Sequence, residues 1–344
     1  MTLGERKLQV LSAVVEAYIR TGEPVGSKMI CELMGNAVSS ATIRNEMADL
    51  AERGLLEQPH TSAGRVPTNR GYRLYIGSRM AREPLSQADR LNIDAMLLEA
   101  AGSDPEHLVE GAAQALASVT HCAAVVTMPV AESTAVRSVQ VVPVGRRTVV
   151  VVLMTSAGIL KNKVCRCGFD LTPDVLRVIS RLTSEKIAGR ALADISVAYI
   201  QTLAASIGEF VFLIAPVLLA ILDAVQDAEK ADACVAGQAN LLTHPEYSDT
   251  EARRVLDFLS TPEPIAALMN RSPAGLRVCI GRETDQPALE SSSILTAGYR
   301  IGGADCGHLA VIGPTRMNYP KLISYLEYFS DEVGTLLTEM LRNE

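Results

Sequence analysis

Two groups of β-branched runs, separated by a long helical stretch, constrain the fold of this 344-residue chain most strongly. Runs of this kind, bounded by turn residues, predict strands. They are residues 122–128, 136–144 and 148–154 in the first group, and residues 275–281, 291–299 and 307–314 in the second. Because residues 172–260 between them are mostly helical in pattern, an insertion is expected to interrupt a strand-rich domain. The sequence therefore predicts a multidomain α+β protein, with the interrupted domain at 81–171 and 261–344.

Residues 1–80 follow a different pattern, in which helices precede a hairpin. A helical repeat of apolar residues predicts a first helix over residues 4–20. Ser27 is the expected N-cap of a short second helix, and Ser39 or Ser40 is the expected N-cap of a third. The segments LLEQ and GRVP then flank a predicted hairpin, and a short helix or strand leads out. Three helices and a hairpin in this order are typical of a winged helix-turn-helix DNA-binding domain.

The predicted third helix has one face that suits the reading of DNA bases. Its expected buried stripe is formed by Ile43, Met47 and Leu50, at i, i+4 and i+7. The residues on the opposite face are Ala41, Arg44, Asn45, Ala48 and Glu52. Arginine can bond guanine at two atoms, asparagine can bond adenine in the same way, and alanine leaves room for close approach.

Hydroxyl groups gather at the start of the same helix. Ser39, Ser40 and Thr42 lie where side-chain hydroxyls and backbone amides favour phosphate oxygens. The alternative interpretation is an ordinary solvated amphipathic helix, since many surface helices carry arginine and asparagine. The residues around the following hairpin favour the interpretation as a DNA-reading helix.

The predicted hairpin carries basic and hydroxyl-bearing residues at or beside its tip. The candidate DNA-contacting residues here are His60, Thr61, Ser62, Arg65 and Arg70, with Arg73 close by in the sequence. Gly64 is expected to let the tip bend. Such a wing can follow the phosphate backbone or enter the minor groove, although a solvated turn is the simpler alternative.

Charge and cysteine content indicate the class of protein. The net charge is −7, yet residues 1–80 hold 10 basic and 8 acidic side chains, so this end is mildly basic. This asymmetry suits a nucleic-acid-binding module carried on an acidic core. Seven cysteines without framework spacing indicate reduced thiols. Because no signal peptide is visible and the apolar run 210–222 is short for a membrane span, a cytoplasmic protein without a membrane partner is expected.

Catalytic and cofactor sites are not predicted. No Walker loop, HExxH or G-x-S-x-G motif occurs in the sequence. Cys165 and Cys167 could in principle join Cys306 and His308 in a zinc site, but one residue between paired cysteines is a poor match to structural zinc. We therefore expect no enzyme activity, no metal and no cofactor. An enzyme fused to a DNA-binding module is a remote alternative.

Three long motifs resemble one protein family. SSATIRNEMADL, GLLEQPHTSAGRVPTNRGYRLYI and IGPTRMNYPKLI are similar to segments of HrcA, the heat-inducible transcription repressors. The resemblance implies a homodimer that binds double-stranded DNA at an inverted-repeat operator called CIRCE, upstream of chaperone operons. It also implies that the strand-rich domain is GAF-like, that the insertion at 172–260 is dimerising, and that the GroEL chaperonin maintains active repressor. Because GAF-like domains often bind small molecules, the alternative function is a winged-helix repressor that senses a small molecule through this domain.

The apolar run 210–222, FVFLIAPVLLAIL, has two interpretations. It can be a buried core helix, or it can be a dimer face, because obligate interfaces are comparably hydrophobic. The residues alone favour neither interpretation, and the family resemblance favours dimerisation.

Overall fold

The structure is a computed structural model that describes residues 3–60, 63–78, 80–102, 104–128, 134–208, 211–229, 233–270 and 275–342. The helices are α1 Glu5–Thr21, α2 Ser27–Leu33, α3 Ser40–Glu52, α4 Asn69–Ser78, α5 Gln87–Ala100, α6 Pro105–Thr120, α7 Pro173–Ile187, α8 Val197–Ile207, α9 Val211–Glu229, α10 Asp249–Leu259, α11 Pro262–Asn270 and α12 Tyr319–Arg342. The strands are β1 Leu56–Glu57, β2 Val66–Pro67, β3 Ala123–Thr127, β4 Val136–Gly145, β5 Thr148–Thr155, β6 Leu160–Arg166, β7 Ala233–Ala236, β8 Arg277–Ile280, β9 Ser292–Ile301 and β10 Ala304–Pro314.

The N-terminal unit consists of α1 to α4 with the short hairpin β1–β2. Apolar residues of α1, α2 and α3 meet in its core, where Val14, Ile30, Ile43 and Leu50 are all 0% exposed. The hairpin pairs Leu56 with Pro67 in antiparallel register. The ambiguous segment after the hairpin is helical and forms α4.

The central unit is a five-stranded antiparallel sheet with helices on both faces, in the strand order β7-β3-β10-β9-β8. Alternate residues of each strand point to opposite faces. On one face Val126 and Val311 pack with the core that includes α6, α12 and the N-terminal unit. On the other face Val125 and Ile312 pack with a second core that includes α10.

The insert unit, Val136 to Glu229, has a separate sheet and a separate core. Its strands β4, β5 and β6 form an antiparallel sheet, and α7, α8 and α9 share a hydrophobic core with one face of that sheet. The buried side of β5 is formed by Val149, Val151 and Leu153, which are all 0% exposed. The unit is thus mixed α/β.

The expected domain boundaries need correction. Strands at 136–144 and 148–154, expected in the interrupted domain, belong to the insert unit. Residues 233–259, expected in the insertion, instead contribute β7 and α10 to the central unit. The physical reason is that β-branched alternation predicts a strand without specifying which strand it will pair with.

Helix α9 contains most of the apolar run whose interpretation was open. It is long and apolar enough to cross a membrane by length and composition alone, but half of its most apolar window is buried in the structure. Ile214, Val217 and Ile221 lie in the core of the insert unit. Phe212 and Leu219 are exposed on the other side of the helix. The run is therefore mainly a core helix.

Candidate nucleic-acid interface

Helix α3 begins at a network of hydroxyl groups. Ser39 is its N-cap, and the Thr42 amide donates to Ser39 Oγ at 3.2 Å. Ser40 Oγ shares a hydrogen bond of 3.1 Å with Ser27 Oγ, so the first residues of α2 and α3 meet. Ser27 was the expected cap of α2, but Gly26 takes that position and the Ser27 hydroxyl is directed to Ser40 instead. Two helix N-termini therefore lie side by side, where their free amides favour an anion.

The two faces of α3 differ as the sequence predicts. Ile43, Met47 and Leu50 are 0%, 4% and 0% exposed, so the apolar stripe is fully buried. On the other face Ala41, Arg44 and Asn45 are exposed, and Ala48 is half-buried. Within the described ranges, neither the side chain of Arg44 nor that of Asn45 makes a hydrogen bond or an ion pair. Both side chains are thus available to a ligand outside the protein.

Ion pairs hold α3 against α1 at the edge of this free face. Lys7 Nζ lies 2.7 Å from Asp49 Oδ2, and Arg53 Nε donates to the same oxygen at 2.8 Å. Hydrogen bonds from Lys7 and then from Arg53 hold the pKa of Asp49 below its ordinary value. The carboxylate stays charged and compensated near neutral pH, so it presents little net repulsion to a polyanion.

Hydrogen bonds close the end of the hairpin and attach the hairpin to the segment before α2. Gln58 Nε2 donates to Ala63 O at 3.0 Å, and the Ala63 amide donates to His60 O at 2.8 Å. Arg65 pairs with Val25 through two backbone hydrogen bonds of 2.9 Å each, which attaches β2 to the segment before α2. The His60 side chain is exposed and the Arg65 side chain is half-buried. Thr61 and Ser62 lie outside the described residues.

Gly64 has a different role from the expected one. Its φ is not positive, so the residue is not required there to bend the tip. A Cβ atom at this position would lie 2.4 Å from Val25 O, closer than such atoms can approach. Glycine is therefore needed because the hairpin backbone lies directly against the residue before α2.

Arg70 and Arg73 do not lie at the hairpin tip, which corrects the sequence-based expectation. Arg70 is the second residue of α4, and its guanidinium lies next to Gly54, just beyond the C-terminal end of α3. Because an α-helix rises about 1.5 Å per residue, the C-terminal end of α3 is roughly 20 Å from its N-terminal end at Ser39. Arg73 is directed away from the free face, toward the central unit, where its Nε donates to Glu283 Oε1 at 2.9 Å. Sequence distance alone suggested a shared position, because both arginines follow the hairpin closely.

The contact between the N-terminal and central units was not predicted from the sequence. Arg316, in the motif GPTRMNY, donates from Nη1 to Ile19 O at 2.8 Å, across almost the whole length of the chain. The available signal was the motif itself, which is too rich in specific polar residues for an ordinary strand-to-helix turn.

The residues considered for zinc lie in two different units. Cys165 and Cys167 belong to the insert unit, whereas Cys306 and His308 lie on β10 of the central sheet. Burial raises the pKa of the Cys165 thiol to about 11. Across the part of the chain that the structure describes, no group of three or more potential His, Cys, Asp or Glu ligands comes together.

Comparison with known proteins gives consistent results over nearly the whole chain. Residues 106–323 match the family described as HrcA protein C terminal domain. A heat-inducible transcription repressor HrcA from Clostridium perfringens is 33% identical over 99% of this chain and 100% of its own length. Another, from Symbiobacterium thermophilum, is 34% identical over 99% of both chains.

One solved structure shares the fold. A crystal structure of a protein described as hypothetical is 24% identical and covers 98% of this chain and 100% of its own, with a TM-score of 0.66. The sequence relatives place the chain in the class of transcription repressors. More particularly, the chain belongs to the HrcA family of heat-inducible transcription repressors.

Proposed function

We propose that the N-terminal unit is a winged helix-turn-helix that binds the CIRCE inverted repeat upstream of chaperone operons. The observation that carries this proposal is the free face of α3, where Arg44 and Asn45 are exposed opposite a fully buried stripe. In this proposal α3 enters the major groove and these two side chains contact base edges, with Ala41 and Ala48 allowing close approach.

Other residues of the unit contact the DNA backbone in this proposal. Ser39, Ser40 and Thr42 bond phosphate oxygens at the paired N-termini of α2 and α3. His60 and Arg65 lie on the hairpin, which acts as the wing, and Thr61 and Ser62 complete its tip in the sequence. Arg70 is the weakest of the candidates, because it lies beyond the base of the hairpin.

An inverted repeat requires a protein with matching two-fold symmetry. We infer that the insert unit supplies the dimer contact, and that its surface is the open face of the β4–β5–β6 sheet. The nine residues of this open sheet face, row by row, are Val142, Val150 and Val164, then Gln140, Val152 and Asn162, then Ser138, Met154 and Leu160.

The chemistry of the open sheet face supports self-association. None of these nine side chains is charged, and Val142, Leu160 and Val164 are 43%, 48% and 69% exposed. The next row on this side of the sheet ends at Arg166, so a charge lies only at the edge of the patch. Contiguous apolar patches of this kind on a protein surface mark interaction sites. The opposite face of the sheet is already covered by helices of the insert unit.

The remaining parts of the proposal concern the central unit and the chaperonin. The five-stranded sheet with helices on both faces is the GAF-like domain of the family. The open sheet face includes one side of the apolar strand β5, formed by Val150, Val152 and Met154, which stays partly exposed until the dimer forms. Folding would then compete with aggregation, and GroEL would raise the active fraction. Binding to chromosomal operators places the protein in the cytoplasm.

Electrophoretic mobility shift on an inverted-repeat fragment from a chaperone promoter tests the proposed function. We expect one retarded complex of a dimer on the intact repeat, and weak binding to a fragment with the same composition in shuffled order. Equal affinity for the two fragments at physiological salt would contradict sequence-specific repression, because non-specific binding alone would explain it.

A further inference from the structure

The motif GPTRMNY, residues 313–319, joins the N-terminal unit to the central unit. It begins at the end of β10 and ends at the first residue of α12, so both of its ends are fixed in the central unit. The Tyr319 hydroxyl donates to Thr315 O at 2.6 Å and shares a hydrogen bond of 2.8 Å with Ser293 Oγ. Its ring lies 5.7 Å, centroid to centroid, from the ring of Tyr72 in the N-terminal unit.

Arg316 reaches from this rigid turn into the last turn of α1. Nη1 donates to Ile19 O at 2.8 Å. The last four carbonyls of a helix have no partner within the helix, and a cation is favourable at that end. The guanidinium also lies beside Gly22, where a Cβ atom would be 3.5 Å from Arg316 Cζ. One side chain of the central unit thus satisfies a backbone group of the N-terminal unit.

The same guanidinium is held in place by Glu246. Nε and Nη2 of Arg316 both contact Glu246 Oε1, and the two side chains are only 22% and 19% exposed. Glu246 Oε2 is buried and makes no hydrogen bond within the described part of the chain, and His244 Nδ1 lies 4.0 Å from it. Loss of Arg316 would therefore leave a half-buried carboxylate without its close cationic partner, which is costly. The fork geometry also suits arginine better than lysine.

A second arginine makes the reciprocal contact. Arg73, on α4 of the N-terminal unit, donates from Nη2 to Val278 O at 2.5 Å and pairs with Glu283 in the central unit. The contact between the rings of Tyr72 and Tyr319 adds a third attachment, one residue before Arg73 and three residues after Arg316. With contacts at several separate points, the N-terminal unit is held in one orientation on the central unit.

We propose that Arg316 is a positioning residue for operator recognition, which it controls without touching DNA. This inference rests on the proposed function, in which two copies of α3 read the two halves of an inverted repeat. The two helices must then be separated by a multiple of about 34–36 Å. Arg316 and Glu246 fix the orientation of each N-terminal unit, so they determine which spacing between half-sites the dimer accepts.

The test compares DNA fragments that differ only in the spacing of the two half-sites. Full-length wild-type protein and Arg316→Ala are titrated against the native repeat, a repeat whose spacer is longer or shorter by about two base pairs, and a single half-site. Wild type should prefer the native spacer. In Arg316→Ala this preference should fall about tenfold, within the range of ordinary coupling between sites, while half-site affinity stays the same. Arg316→Lys should restore part of the preference, because one donor can still reach Ile19 O.

The matched control is Arg282→Ala. Arg282 belongs to the central unit, is 86% exposed and pairs with Glu290 at 3.5 Å in the same unit, so its loss should leave the spacer preference unchanged. Stoichiometric titration of each variant gives its active fraction, which separates misfolding from altered positioning. If Arg316→Ala is impaired in folding, the spacer preference of Arg316→Lys decides the question.

Two results distinguish the possible failures. If Arg316→Ala and Arg316→Lys keep the wild-type ratio of affinities for native and altered spacers, the positioning role is overturned and the proposed function stands. If wild type itself does not distinguish the native repeat from a shuffled fragment, the proposed function has failed before Arg316 is considered.

Discussion

The free face of α3 and the open sheet face of the insert unit are both exposed and lack a partner in the single chain, but their chemistry is opposite. The face of α3 presents Arg44 and Asn45, which offer directed hydrogen bonds, over a helix that is anchored by a buried stripe. The open sheet face presents four valines, a leucine and a methionine beside the uncharged polar residues Gln140, Asn162 and Ser138. A polar face on a rigid helix suits DNA, whereas an apolar sheet face suits a second copy of the same chain.

Exposure alone does not define an interface, because the chemistry of its side chains determines which partner can bind there. If each face has the occupant proposed for it, damage to the sheet face should reduce operator binding without altering sequence preference. Damage to the α3 face should reduce the preference for operator over random DNA and leave the dimer intact. The predictions below test this separation, beginning with the largest expected effect.

Val164→Asp on the open sheet face should produce the largest loss. A carboxylate there would be buried without a partner on dimerisation, so the variant should sediment as a monomer. Loss of two-site binding should weaken affinity for the intact repeat by about 10²–10⁴-fold and leave half-site affinity unchanged. Val178→Asp is the matched control, since Val178 is 58% exposed but lies on α7 instead of the sheet. A Val164→Asp dimer of unchanged stability would place the contact elsewhere.

Arg44→Ala and Asn45→Ala should each cost about 1–3 kcal/mol on the operator and much less on random DNA, because the lost bonds are to base edges. Fluorescence anisotropy with both DNAs measures the difference, and sedimentation should show an intact dimer. Arg300→Ala removes the same charge from the central unit, where Arg300 pairs with Asp305, and serves as the control. Equal losses on both DNAs would mean that these side chains contact only phosphate.

Refolding should depend on the chaperonin through the open sheet face. Purified protein diluted from denaturant with GroEL should give several-fold more operator-binding dimer than without it, because β5 is shielded from aggregation before assembly. The aggregated fraction is measured by light scattering. Equal yields in both reactions, together with activity that survives a mild heat pulse, would show that heat does not act through the folding of the repressor.

The sequence could predict features that depend on neighbouring residues. The stripe Ile43, Met47 and Leu50 and the Ser39 cap follow from spacing within one helix, and the structure has both. The predicted strands at 122–128 and 307–314 are also present as β3 and β10. In each case the signal is local, since helical and strand periodicities are properties of short segments.

Features that depend on distant partners could not be predicted in this way. The pairing of β3 with β7 joins residues that are more than a hundred positions apart, so no local pattern assigned β7 to the central sheet. Arg73 was expected near the wing because it follows the hairpin in sequence, but its partner is Glu283, 210 positions further along the chain. For the same reason the contacts of Arg316 with Ile19 and Glu246 could not be predicted from the residues around it.

The smallest expected effect distinguishes two arginines that the sequence treated alike. Arg65→Ala should weaken operator and random DNA equally and reduce the slope of log K against log salt by roughly one, because one phosphate contact is lost. Arg70→Ala should leave the slope unchanged, since Arg70 lies beside Gly54 at the end of α3 away from the proposed phosphate contacts. Anisotropy titrations over a series of salt concentrations measure both slopes. A reduced slope for Arg70→Ala with an unchanged slope for Arg65→Ala would mean that the DNA lies along the opposite end of α3, and the proposed docking of the N-terminal unit would have to be reversed.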